Sequence, residues 1–123
     1  MTSFHPTAER PISLDHIRAA AQGLAGVVTR TPLLESASAN AQLGGRLLLK
    51  AESMQRTGAF KIRGAYWRIW NMSDAERQAG AVTYSSGNHA LGVAAAAQML
   101  GTTALIVMPD DAPAAKVQAV QAL

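Results

Sequence analysis

The run from Ala81 to Met108 narrows the possible folds more than any other part of this sequence. Ala81–Tyr84 is a short strand-like segment ending in the polar stretch Ser85-Ser86-Gly87-Asn88-His89. An alanine-rich segment follows, predicted helical from about Asn88 to Leu100 and stopped by Gly101; Thr103–Met108 is a second strand. Strand, helix and strand in that order favour parallel strands joined by a right-handed crossover, so the expected class is α/β, a parallel sheet with flanking helices. Pro109–Pro113 reads as a turn, with Pro113 at the first position of a last helix. The apolar positions of that helix, Val117, Val120 and Leu123, run to the final residue, so the chain is expected to be cut and the helix to fray.

Upstream, residues 1–11 contain Pro6 and Pro11 and show no periodicity. Ser13 can cap a helix with Leu14, Ile17, Ala21, Leu24 and Val28 in one buried stripe, ended by about Thr31-Pro32. Ser36–Leu43 fits a short helix stopped by Gly44-Gly45, and Arg46–Lys50 fits a buried strand. Lys61–Asn71 is predicted helical with Ile62, Ala65 and Ile69 on one face, and Trp67 and Trp70 are assigned to packing. Ser73 with Glu76 forms a capping-box signature, and Gly80 can end that helix.

Two stretches carry chemistry. Lys61 lies between Phe60 and Ile62, after a turn suited to Thr57-Gly58. Apolar flanks favour desolvation of an amine, which makes it a better nucleophile toward an aldehyde. The alternative is a surface lysine whose stem covers apolar neighbours. The loop Ser85–His89 joins the carboxyl end of a strand to a helix N-terminus, where open α/β sheets bind ligands and where free N–H groups favour a carboxylate or phosphate. The alternative there is a helix cap made by Ser86 or Asn88. Neither G-x-G-x-x-G nor G-x-x-x-x-G-K is present.

Composition excludes several classes. No cysteine means no disulfide, thiol nucleophile or zinc–thiolate site, and the three histidines do not have metal-ligand spacing. The net charge of +3 is scattered, with no Lys/Arg run, so nucleic acid is not an expected partner. No apolar run is long enough for a membrane and the start does not read as a secretory signal, so a cytoplasmic protein is expected.

Glu52, Gln55-Arg56-Thr57-Gly58, Phe60-Lys61 and Arg63-Gly64-Ala65 together resemble the lysine segment of the serine/threonine dehydratases, fold-type II pyridoxal-phosphate enzymes. Ala59 stands where that family usually has Ser. Thr31-Pro32-Leu33, the Ser-Ser-Gly-Asn-His-Ala loop and Ile106–Pro109 with Ala112-Pro113 and Lys116 are further similarities, so the resemblance runs from roughly Ile12 to Leu123. It implies that Lys61 holds pyridoxal 5'-phosphate and is the catalytic base. It also implies that Phe60 packs near the cofactor ring and Asn88 contacts its phenolic oxygen, and that Ser85, Ser86, Gly87, Asn88 and His89 bind the substrate carboxylate. In the related serine racemases the position of Ser86 acts as an acid/base opposite the lysine.

The implied reaction is dehydration and deamination of threonine or serine to a 2-oxo acid and ammonia. The alternatives are a racemase on the same scaffold, a hydroxyaspartate or hydroxyectoine-pathway dehydratase, and a catalytically silent fragment. By resemblance, residues 1–75 belong to a larger cofactor-binding domain and 76–123 open a smaller one, both incomplete. The family's glycine-rich phosphate loop and pyridine partner have no counterpart here. The 123 residues alone are therefore expected to be inactive, to bind the cofactor weakly and to self-associate, with the full-length parent a homo-oligomer acting on an amino-acid substrate.

Overall fold

A computed structural model describes residues 12–123. In chain order the elements are α1 (Leu14–Gly23), β1 (Leu33–Glu35), α2 (Ala37–Leu43), β2 (Leu48–Lys50), a 3-10 turn (Glu52–Met54), α3 (Lys61–Trp70), α4 (Asp74–Ala79), β3 (Ala81–Tyr84), α5 (Asn88–Leu100), β4 (Ala104–Val107) and α6 (Ala114–Gln121). Among the described residues, no helix is long and apolar enough to cross a membrane.

The helix starts follow the sequence signals closely. The Ser13 hydroxyl accepts from the His16 amide, with the His16 ring accepting in return from the Ser13 amide. Ser36 caps α2, and Ser73 and Glu76 form the reciprocal box at α4. Left-handed glycines, Gly44 at φ 62° and Gly101 at φ 66°, end α2 and α5 where a side chain would strain the backbone. Pro113 sits one position earlier than expected: it is the N-cap of α6, and Ala114 is the first helical residue.

The core lies between α3 and α5. Ile62, Ala65 and Ile69 form the buried face of α3, and Val93 with Ala95, Ala96 and Ala97 meet them from α5. Alanine and glycine on α5 let the two backbones approach closely, so Ile62 is excluded from solvent completely. Burial of such a side chain stabilises the fold by about 1.5–3 kcal/mol. At the far end of α3 the Trp67 and Trp70 rings meet edge to face, 5.5 Å between centroids, against the end of α1 at Gly23. Their packing role is as expected.

The parallel pairing holds for β3 and β4, in register from Ala81 opposite Ala104 to Tyr84 opposite Val107. It does not hold for β1 and β2, which form a separate antiparallel pair with Leu34 opposite Leu49. A polar clasp turns the chain back. Arg46 and Asn40 both donate to the Glu35 carboxylate at 2.8–3.0 Å, and the Leu47 amide donates to Asn40 Oδ1 at 2.7 Å.

Two burial expectations fail for one reason. Every residue of β2 is exposed, because no helix covers the β1–β2 pair among the described residues. The α1 stripe is likewise open at Leu14 and Ile17, and α1 stops at Gly23; Leu24, beyond the helix, is the buried position. Periodicity reports which face is apolar, not whether anything lies against it.

Candidate active site

The segment leading to Lys61 is held by a polar network. Arg63 reaches back to Glu52 with two parallel hydrogen bonds, 2.7 and 2.8 Å, and the Thr31 hydroxyl donates to the same carboxylate. The Gln55 amide pairs with the Thr29 backbone, accepting at 2.8 Å and donating at 2.9 Å. Thr31 and Gln55 are both buried, and the network satisfies their polar atoms. The Arg63 hydrogen bonds hold the Glu52 carboxyl down at about 2, against an ordinary 4.5, with the Thr31 hydroxyl and the charges of Arg63 and Lys50 adding to them and burial opposing. The Gly58 amide donates to the Gln55 carbonyl at 2.8 Å, and Gly58 has φ 69°, so the expected turn forms immediately before α3. Ala59, the position at which the resembled segment usually has Ser, is buried.

Lys61 is the first residue of α3 and is partly buried, its Nζ 5.2 Å from the Phe60 ring centroid. It opens into a cleft of about 800 Å³ lined also by Thr83, Tyr84, Ser85, Ser86, His89 and residues 107–109. Phe60 is exposed and does not line that cleft.

The Ser85–His89 loop connects β3 to α5, and it is not a side-chain cap. Gly87 is the N-cap, and no side chain bonds the first-turn amides. Ser85 Oγ accepts from the Gly87 amide at 3.2 Å instead, so the capping role suggested for Ser86 or Asn88 is absent. An uncapped helix start leaves N–H groups and the positive end of the dipole available to an anion. His89 is tied to Thr83 Oγ1 at 3.1 Å, and Asn88 Oδ1 accepts from Lys116 Nζ at 3.0 Å.

The structure thus brings Lys61, Ser85, Ser86 and His89 to one cleft. It leaves Phe60, Gly87 and Asn88 outside the cleft lining. Three features escaped sequence reasoning: the charged clasp of Glu52 and Arg63, the Lys116–Asn88 bond and the close approach of Gly92 to Lys61. An acid and a base eleven residues apart across a turn were the available signal for the first; a lone glycine in a helical run was the signal for the last.

The site therefore sets an amine at a helix start across an open cleft from a polar loop whose helix start carries no side-chain cap. Residues 24–123 match the family model described as pyridoxal-phosphate dependent enzyme, and the chain belongs to that family. It is 50% identical over 100 residues to an L-threo-3-hydroxyaspartate ammonia-lyase from Pseudomonas sp, covering 81% of this chain and 31% of that protein. It is 44% identical over 116 residues to the catabolic L-threonine dehydratase of Escherichia coli strain K12, covering 94% of this chain and 35% of that one. The maize serine racemase structure superposes with a TM-score of 0.83 at 47% identity, over 89% of this chain and 33% of that chain. The fold is therefore that of the fold-type II enzymes, and the chain spans about a third of the length of these relatives.

Proposed function

We propose that this chain supplies the lysine and the substrate loop for pyridoxal-phosphate-dependent dehydration and deamination of a β-hydroxy amino acid, threonine or serine, to a 2-oxo acid and ammonia. The observation that carries the reading is the shared cleft of Lys61, Ser85, Ser86 and His89. The residues present fit the cofactor's aldehyde: Lys61 is an amine at the cleft, and Glu52 takes the neighbouring Arg63 into an ion pair of its own. When bound, pyridoxal phosphate supplies the electron sink that makes loss of the Cα proton feasible.

In this reading Lys61 would hold the cofactor by its aldehyde, and its amine, when free, would take the Cα proton; that proton and the β-hydroxyl together would leave as water. The uncapped N–H groups at the start of α5 hold the substrate carboxylate, with Ser85, Ser86, Gly87, Asn88 and His89 around it. The resemblance assigns Phe60 and Asn88 to the cofactor's surroundings, although neither lines the cleft. Residues 1–75 are assigned to the larger domain and 76–123 to the smaller one. A cytoplasmic location is assigned, with the full-length parent a homo-oligomer; the charge of this chain is scattered rather than gathered in a Lys/Arg run. Racemisation is the second reading, supported by the place of Ser86 on the cleft with Lys61 and by the similarity to the maize serine racemase.

The test is reductive capture. Pyridoxal phosphate is added to the chain, the adduct is fixed with borohydride, and labelled peptides are mapped. Lys61 is expected to be labelled ahead of Lys50, and Lys61→Ala to remove that label without changing Lys50. Equal labelling of the two lysines would overturn the assignment. Where turnover of threonine or serine is measured, an oxo acid marks the lyase and the enantiomer marks the racemase.

A further inference from the structure

Gly92 lies buried inside α5, one turn after Asn88. Glycine is the poorest helix former apart from proline, so an interior glycine calls for a packing reason. The geometry provides one. A Cβ at Gly92 would lie 3.0 Å from the Lys61 carbonyl carbon, 3.1 Å from the Ile62 nitrogen and 3.2 Å from the Lys61 Cβ. Two of these three atoms are backbone, which cannot swing aside as a side-chain tip does. Thus α5 touches α3 at the residue that bears the amine. The Ser85–His89 loop leads into the same α5, so one helix carries both the contact with Lys61 and the end of the loop that shares the lysine's cleft.

We propose that Gly92 is a positioning residue for Lys61: the missing side chain lets the α5 backbone close on the first turn of α3 and so sets the lysine's place relative to the Ser85–His89 loop across the cleft. The inference rests on the reading of Lys61 as the amine that holds the cofactor. It adds that the lysine's reactivity depends on the spacing of two helices, and that a methyl group added at Gly92 would force that spacing to give by a few tenths of an ångström. Gly64 gives the comparison. It is also an interior helical glycine, on α3 itself, yet it is exposed, and nothing lies within 4 Å of where its Cβ would be.

The chain has three lysines, Lys50, Lys61 and Lys116, so labelling at one is read against another in the same sample. The unaltered chain, Gly92→Ala and Gly64→Ala are treated with pyridoxal phosphate and borohydride, and the Lys61-to-Lys50 label ratio is quantified by mass spectrometry. Thermal unfolding is followed by circular dichroism on the same samples. In Gly92→Ala the ratio is expected to fall by roughly three- to ten-fold with the helical spectrum retained, since small displacements of a reacting group are costly. Gly64→Ala is expected to keep the unaltered ratio. An unaltered ratio in folded Gly92→Ala would overturn the proposal, as would an equal fall in Gly64→Ala. A Gly92→Ala chain that does not fold would also overturn it, by making Gly92 a requirement of the fold rather than of the lysine's place. If the unaltered chain itself labels Lys61 no faster than Lys50, the underlying reading of Lys61 fails and takes the inference with it; that failure shows before any variant is considered.

Discussion

Glu52 is the residue whose ionisation is tied most closely to the folded site. Its carboxyl is held at about 2 in the fold against an ordinary 4.5, so its contribution to stability is complete above the unfolded value and is lost as pH falls towards the folded one. Stability is therefore expected to drop between about pH 4.5 and pH 2, and Glu52→Gln should flatten that part of the profile. The same substitution should cost about 1.5–3 kcal/mol at neutral pH by weakening a charged, two-point hydrogen bond. Urea unfolding of both chains across this pH range checks both statements. At Lys61, Arg is not expected to replace Lys in reductive capture, because a guanidinium does not deprotonate to attack an aldehyde. Asn88→Ala should weaken cofactor binding by about 1.5–3 kcal/mol if its amide donates to the charged phenolic oxygen, measurable by titration. In an active preparation, Ser86→Ala should reduce racemisation far more than dehydration. The reverse outcome would remove Ser86 as the second acid/base.

The helices differ in what holds them. α4 is six residues long and exposed along its length apart from Arg77, so its start depends on the Ser73–Glu76 box. Ser73→Ala is expected to cost about 1 kcal/mol and to raise amide exchange through α4 first. α3 depends instead on its buried face, where Ile62→Ala should cost about 2–5 kcal/mol by opening a cavity against α5. Chemical denaturation separates the two: a small shift in midpoint for the cap, a large one for the core. These element boundaries were legible because caps, stops and 3.6-residue spacing are local signals, present at Ser73, Gly80, Gly101 and along Ile62-Ala65-Ile69. The antiparallel return of β2 onto β1 was not legible. It rests on Glu35, Asn40 and Arg46 meeting after the turn, and three polar residues at uneven spacing carry no periodic signature.

For the whole molecule, the outstanding feature is apolar surface facing water. Leu33, Leu34, Leu48 and Leu49 are all about half exposed on the β1–β2 pair, and Val82, Tyr84, Leu105 and Val107 open one face of the β3–β4 pair. Faces of this kind drive association. The chain is expected to self-associate in sedimentation velocity, and Leu34→Lys with Leu49→Glu, an opposed pair in the β1–β2 register, should shift it toward monomer. Unchanged association would exonerate that pair.

The sequence by itself determined the α/β class, the helix starts and stops, the buried face of α3 and the family to which Lys61 and the Ser85–His89 loop belong. Each of these follows from short-range patterns or from an unbroken motif. Only the tertiary structure decided that Lys61, Ser85, Ser86 and His89 share a cleft, that Glu52 and Arg63 clasp the turn before the lysine, and that the apolar faces of α1 and β2 lie open. It also decided that Gly92 touches Lys61, because contact between residues thirty-one positions apart depends on how two helices cross, and a run of residues states which side of a helix is apolar without stating what comes to rest against it.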